Sequence, residues 1–269
     1  MKTLIMLGLF SFSGLLSAET ISSRIHSVEE GLVKFENGRV AFLEDANLDL
    51  SALSDGTVIA ELDAQSNLIA ARKVHSPTEK SILLDPIYIQ GPPTSPFVPT
   101  IVPSMAEAVN IFNRSNPRFK RATECSDRAH VWAHDEFKKT GTKSEKVFVF
   151  FTASYINRVR FKWWFHVAPL YTVNVNGSTQ KFVMDYLFMN GPATIKEWTD
   201  LMVFTKRSCK MTTRFSEYDV NPQTEECYMM IDSMHYRLPG ELQTQELPAN
   251  KYKVGTTPAE LKGCYNRTF

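Results

Sequence analysis

The sequence predicts an α+β fold: a body in which helices precede an antiparallel sheet, joined to a small all-β unit at its N-terminal side. Three observations carry this reading. Paired strand signals fill residues 20–74, seven prolines crowd residues 75–103, and beyond residue 104 two helix-start signatures bracket dense β segments.

In chain order, Lys2 followed by an almost wholly apolar stretch to Leu16 and the small pair Ser17-Ala18 reads as a signal peptide over residues 1–18. The apolar stretch is too short to span a bilayer, so no membrane anchor is expected, and the protein is expected to be secreted or periplasmic. Residues 19–78 form the small β unit. Segments 32–35 and 40–43 straddle Asn37-Gly38, a dipeptide that favours the type I′ hairpin turn, and segments 57–62 and 68–74 suggest a second pair. With no long helix-period pattern, the unit is expected to be a barrel or a curled sheet. Residues 79–103 are a proline-rich linker, kept out of helix and sheet interior by proline's fixed φ and missing donor, and expected to run extended over a surface.

The remaining residues, 104–269, are the main body. Ser104-Met105-Ala106-Glu107 has capping-box spacing and predicts a helix over 105–114. A helix over 124–139, with Thr123 as N-cap, places Cys125, Ala129, Trp132, Ala133 and Phe137 near one apolar stripe. A β run at 147–153 is followed by two long strands, 160–175 and 180–188. A second capping box, Thr194-Ile195-Lys196-Glu197, starts a helix that turns Ile195, Trp198, Leu201 and Met202 inward.

Formal net charge is +1, which excludes nucleic acid as an expected partner. The charge is unevenly spread. Residues 19–78 carry ten acidic and five basic side chains, whereas the rest of the mature chain is net positive by the same margin, so the two parts should attract each other. Of the four cysteines, Cys209 and Cys227 flank a polar stretch and can close a loop, leaving Cys125 free and Cys264 unassigned; two structural disulfides that include Cys125 are the alternative.

Thiolates attack and thiols do not, so a catalytic cysteine needs a helix N-terminus or a nearby imidazolium. Cys125 sits in a predicted first turn. If Asn176-Gly177 is the tight turn between the two long strands, Val175 faces Ser178, Ala168 faces Asp185 and His166 faces Leu187. His166 and Asp185 are then diagonal neighbours on one side of the sheet, at roughly 7–8 Å between Cα atoms and within reach of a side-chain hydrogen bond. A carboxylate so placed fixes the imidazole tautomer and leaves the second ring nitrogen for the thiol proton. A structural His-Asp pair is the competing reading. Trp163 and Trp164 are candidate walls of a substrate channel, and only Trp164 shares a side with His166.

Cys125-Ser126-Asp127-Arg128-Ala129-His130, Trp163-Trp164-Phe165-His166-Val167-Ala168, Val183-Met184-Asp185, and Gly191-Pro192-Ala193-Thr194 with Trp198 resemble, in order and spacing, the bacterial protein-glutaminases. The resemblance covers roughly residues 105–200. Tyr186 departs from it, following the aspartate where proline is expected. The resemblance implies a papain- or transglutaminase-like core, a triad of Cys125, His166 and Asp185, and hydrolysis of the side-chain amide of protein-bound glutamine with release of ammonia. It also implies export as a zymogen whose own N-terminal pro-region blocks the site, protein or peptide substrates bearing glutamine, and no cofactor. Tyr88-Ile89-Gln90 offers a glutamine that would mimic substrate in the cleft, against the plainer reading of a solvated linker residue.

Three other readings compete. His130 and His134, one helical turn apart, could hold zinc, but the Glu of a His-Glu-x-x-His motif is absent and no metal is expected. A transglutaminase or cysteine peptidase would use the same triad, and a binding module would not need Cys125 at all.

Overall fold

In the computed structural model the described residues are 19–44, 50, 53, 56–74, 97–120, 123–219, 225–243 and 258–268. The expected signal peptide, most of the proline strap and Tyr88-Ile89-Gln90 lie outside them.

The first unit is a five-stranded sheet in the order β3-β2-β1-β4-β5, with β1 Glu19–Glu29, β2 Leu32–Phe35, β3 Val40–Phe42, β4 Thr57–Leu62 and β5 Leu68–Lys73. It curls, because Phe42 at the end of β3 donates its amide to the carbonyl of Ser66 beyond β4, at 2.9 Å. The first hairpin turn differs from expectation. Gly38 has φ +93° but Asn37 stays out of the left-handed region, and Phe35 pairs with Arg39 through Phe35 N donating to Arg39 O at 2.9 Å. The loop is therefore a three-residue one ending in a left-handed glycine. β1, which the sequence pattern does not resolve, is the central strand. A register shift between Ile25 and Ser27 breaks its alternation, and most of its residues are polar.

The main body is built on a second sheet, ordered β10-β9-β8-β7-β12-β11, with β6 added beside β8. The central ladder of β7 Glu145–Phe151, β8 Phe165–Val175, β9 Ser178–Val183, β10 Ala193–Thr194 and β12 Cys227–Ser233 is antiparallel. β6 Ile101–Val102 and β11 Lys210–Met211 join in parallel, so the end of the strap is part of this sheet. The helices are α1 Met105–Asn113, α2 Cys125–Thr140, α3 Ala153–Val159, α4 Ile195–Asp200, α5 Ser216–Asp219, α6 Pro239–Gln243 and α7 Pro258–Thr268, with a 3-10 turn at Pro117–Lys120.

Both predicted capping sites form. Ser104 Oγ accepts from Glu107 N at 3.2 Å, and Thr194 and Glu197 make the reciprocal box. Four local expectations are corrected. Glu124, not Thr123, is the N-cap of α2 and makes no side-chain cap bond, while the Thr123 backbone carbonyl accepts from Arg128. Phe137 on α2 and Leu201 after α4 are 40% and 48% exposed, so the stripes are narrower than the sequence suggested. Residues 153–159 are helical, capped by Thr152 Oγ1 accepting from Tyr155 N at 3.3 Å, and Arg160 leaves the helix at φ +53°, so β8 starts at Phe165 rather than at 160. β9 ends at Val183, before Asp185.

One core cluster runs through the main body and takes in Leu32, Val40 and Phe42 of the first unit; another lies between α1, α2 and β8, and a third belongs to the first unit alone. Apolar side chains of both units thus share one core, and its burial favours their association.

Candidate active site

The turn at Asn176-Gly177, with φ +53° and +87°, sets the register that positions the site. Val175 faces Ser178 and Leu170 faces Val183. The ladder stops there, and the chain turns out after Met184 N donates to Pro169 O at 2.9 Å. That exit carries Asp185 beside the start of β8, where His166 Nε2 lies 2.6 Å from Asp185 Oδ2. The sequence-derived neighbourhood is thus present, but Asp185 reaches it from a loop.

Asp185 is almost fully buried and held by three donors: His166 Nε2, Trp198 Nε1 at 2.9 Å on the same oxygen, and Leu187 N at 3.1 Å on the other. Burial opposes its charge, yet His166, Trp198 and Arg128 hold the carboxyl below its usual range. With Nε2 committed to the carboxylate, the other ring nitrogen of His166 is left for the Cys125 thiol, whose charge acts on the ring. Burial pulls the imidazole down, but Asp185 and Cys125 outweigh it and carry His166 up to about 9. Phe188 stands edge-on to the ring at 5.0 Å between centres and Trp198 packs at 5.6 Å, so its plane is fixed on two sides.

Cys125 is the first residue of α2, where backbone N–H groups lack intrahelical acceptors and the helix dipole favours negative charge. Asp127 in the same turn has a fully buried side chain. Its carboxylate pairs with Arg267 of α7 at 2.5 Å, which, against burial, keeps it ionised below the usual range. Beside it, burial and Asp127 push the Glu124 carboxyl up to about 7. Cys125 is 1% exposed, and the crevice beside it, lined in part by Arg128, Trp132 and Tyr186, has a volume of about 10 Å³, room for roughly one water. In this chain the thiol is closed off from a substrate side chain.

Trp163 and Trp164 are not in that crevice. Trp164 is fully buried beneath the first unit, its indole donating to Phe35 O at 2.7 Å, and Trp163 lies under Arg39 at 5.0 Å. Trp198 is the residue whose role the sequence did not disclose: its spacing turns it inward on α4, and only the fold aims its N–H at Asp185. His130 is likewise absorbed elsewhere. Its Nδ1 lies 2.6 Å from the buried Lys146 Nζ, and burial and that ammonium drive its pKa far down. Among the described residues no group of three or more His, Cys, Asp or Glu is arranged to hold a metal. Cys209 and Cys227 form a disulfide, and Cys125 and Cys264 are free thiols. Among the described residues no helix is long and apolar enough to cross a membrane.

Residues 107–202 match the model of a family described as glutaminase. The chain is similar to a crystal structure of pro-protein-glutaminase, at 16% identity over 81% of this chain and 83% of that one, with a TM-score of 0.47. It is similar also to a mutant of pro-protein-glutaminase, at 16% identity over 93% and 98% with a TM-score of 0.49. The solution structure of protein-glutaminase from Chryseobacterium proteolyticum is 19% identical over 64% and 86%, with a TM-score of 0.39. No curated protein sequence matches the chain. The segment that is similar to the glutaminase family carries Cys125, His166 and Asp185.

Proposed function

We propose that this protein hydrolyses the side-chain amide of glutamine in proteins, with Cys125 as nucleophile, His166 as acid and base and Asp185 as orienter. The observation that carries the reading is the His166–Asp185 hydrogen bond, with Cys125 at the start of α2 acting on the same imidazole, inside the segment that matches the glutaminase model.

The proton shared by Cys125 and His166 rests on the imidazole as the thiolate attacks the amide carbon, forming a C–S bond while the carbonyl oxygen gains the negative charge. The Cys125 amide, in the first turn of α2, is the donor offered to that oxyanion. His166 then protonates the amide nitrogen, the C–N bond breaks, and ammonia leaves a thioester. A water that gives its proton to His166 attacks the thioester carbon, the C–S bond breaks, and glutamate is released with the Cys125–His166 pair restored. Asp185 holds the imidazolium throughout without itself taking a proton.

We read residues 1–18 as an export signal, 19–78 as a pro-region, 79–103 as its linker and 104–269 as the catalytic domain. Support comes from the seating of the first unit on the chain just before His166. Val40 N donates to Lys162 O at 3.1 Å and Trp164 N to Gly38 O at 2.9 Å.

The test is ammonia release from a glutamine peptide and from casein, before and after limited proteolysis, beside a Cys125→Ala control. Release by the wild type alone, rising after cleavage in the linker, supports the whole reading. Release that survives Cys125→Ala removes the nucleophile. Peptide cleavage or amine incorporation in place of ammonia would assign the triad to a peptidase or transglutaminase.

A further inference from the structure

β2 is buried along its whole length because both its faces are covered. Val33 and Phe35 enter the core of the first unit, Leu32 joins the core of the main body, and Lys34, of the same parity as Leu32, lies on the main-body side. A lysine that is 1% exposed calls for an explanation. Its Nζ donates to Tyr218 Oη at 2.8 Å and lies 5.0 Å and 5.6 Å from the ring centres of Tyr218 and Trp164. Its carboxylate partner, Glu29, comes from the first unit.

An ammonium leaves water only where oriented acceptors and counter-charge replace its hydration, and stacked π faces with a hydroxyl oxygen are such a replacement. The body supplies the faces and the oxygen. Tyr218 in turn donates to Phe151 O at 3.2 Å, and Trp164 packs parallel to it with centres 6.2 Å apart. His26 of the first unit stacks on Trp164 at 4.4 Å, and next to it a cavity of about 280 Å³ opens between the units, lined in part by Arg24, Glu36 and Glu241.

We propose that Trp164 and Tyr218 form a subsite on the main body for a lysine side chain of the protein substrate, occupied in this chain by Lys34. The proposal rests on the reading that residues 19–78 are a detachable pro-region of a deamidase. When that unit leaves, Lys34 and Glu29 leave with it, and the aromatic pair remains, with Trp164 two residues ahead of His166 on the same stretch of chain.

The full-length Glu29→Gln/Lys34→Ala double variant empties the cage of both charged groups and allows a direct reading by thermal unfolding. With n-butylammonium we expect Tm to rise by about 2–4 °C, with n-butanol by much less, and with wild type by neither. Adding Tyr218→Phe should remove the preference for the ammonium. Equal shifts with both probes, or none with either, overturn the proposal. If the double variant does not fold, Glu29→Gln/Lys34→Met replaces it, and a Tm at or above wild type overturns the proposal because the cage then has no preference for charge. On glutamine peptides, the linker-cleaved protein should favour a neighbouring lysine over norleucine by roughly three- to tenfold in kcat/KM. Equal rates confine the cage to holding the first unit and overturn the substrate role. Absence of ammonia from both peptides refutes the deamidase reading instead, and the unfolding arm still decides the cage.

Discussion

Asp185→Asn keeps the shape of the side chain and removes its charge, and the hydrogen bonds around the carboxylate set the cost. One carboxylate oxygen accepts from both His166 Nε2 and Trp198 Nε1, and the other from Leu187 N. An amide has a single oxygen. If that oxygen serves His166 and Trp198, the NH2 faces the Leu187 N–H; if it turns the other way, the NH2 faces two donors. In either case a buried donor is unpaired, at about 1–3 kcal/mol, and the charge-assisted part of the His166 bond, about 1–2 kcal/mol, is lost as well. We therefore expect a destabilisation of about 2–5 kcal/mol at neutral pH. The pH dependence has a definite sign. Because His166 is raised to about 9, its pair with Asp185 contributes fully below the ordinary histidine pKa and is lost as pH rises through about 9. The variant should lack that loss, so the stability gap should narrow above about pH 9. In catalysis, the proton that His166 gives to ammonia is available up to about pH 9, and the alkaline limb of kcat/KM should lie there. Without the carboxylate the limb moves to lower pH and the rate falls on the order of 10²–10⁴-fold. Thermal unfolding and ammonia release across roughly pH 5–10 measure both. An Asp185→Asn enzyme within about threefold of wild type, or with its alkaline limb unmoved, would refute the assignment of Asp185.

Lys146 is fully buried and its pKa is lowered to about 7, chiefly by burial, so the unfolded chain binds its proton more tightly and stability falls as pH drops from the ordinary lysine value through about 7; Lys146→Met should remove that slope, measured as Tm against pH. Replacing Cys209 and Cys227 together by serine opens a loop with a sequence separation of 18, which should cost about 3 kcal/mol in urea unfolding; no loss of stability would show that the loop is held by its packing alone. Gly38→Ala meets both a φ of +93° and a new Cβ at 3.1 Å from Phe165 and 3.2 Å from Trp163; it should destabilise the junction by about 1–3 kcal/mol and speed cleavage of the linker by added protease.

Much of the site was legible one residue at a time. Cys125 at a helix start follows from the change of periodicity after Thr123, and the register of β8 against β9 follows from a turn dipeptide, because an antiparallel ladder with a two-residue loop leaves no freedom of register; Asp185 then reaches His166 from the loop after Val183. The illegible parts are those where neighbours compete with local preference. Segment 153–159 comes after a β run and contains Tyr155, Ile156 and Val159, yet it is helical because Thr152 caps it and Tyr155 and Ile156 bury there. β1 has too irregular an apolar pattern to announce itself, and its position at the centre of its sheet comes from partners on both sides.

The sequence by itself determined the α+β class, the two capping boxes, the register of the β8–β9 hairpin, and the Cys209–Cys227 loop. Each depends on interactions among residues close in the chain or on a register fixed by one turn. The tertiary structure alone decided that Trp198 donates to Asp185, that Trp163 and Trp164 lie beneath the first unit rather than beside the thiol, and that Lys34 is buried between aromatic rings. Those contacts join residues from different elements, and their existence depends on which face of one element packs on which face of another, a choice made by the summed burial of many side chains and carried by no single stretch of sequence.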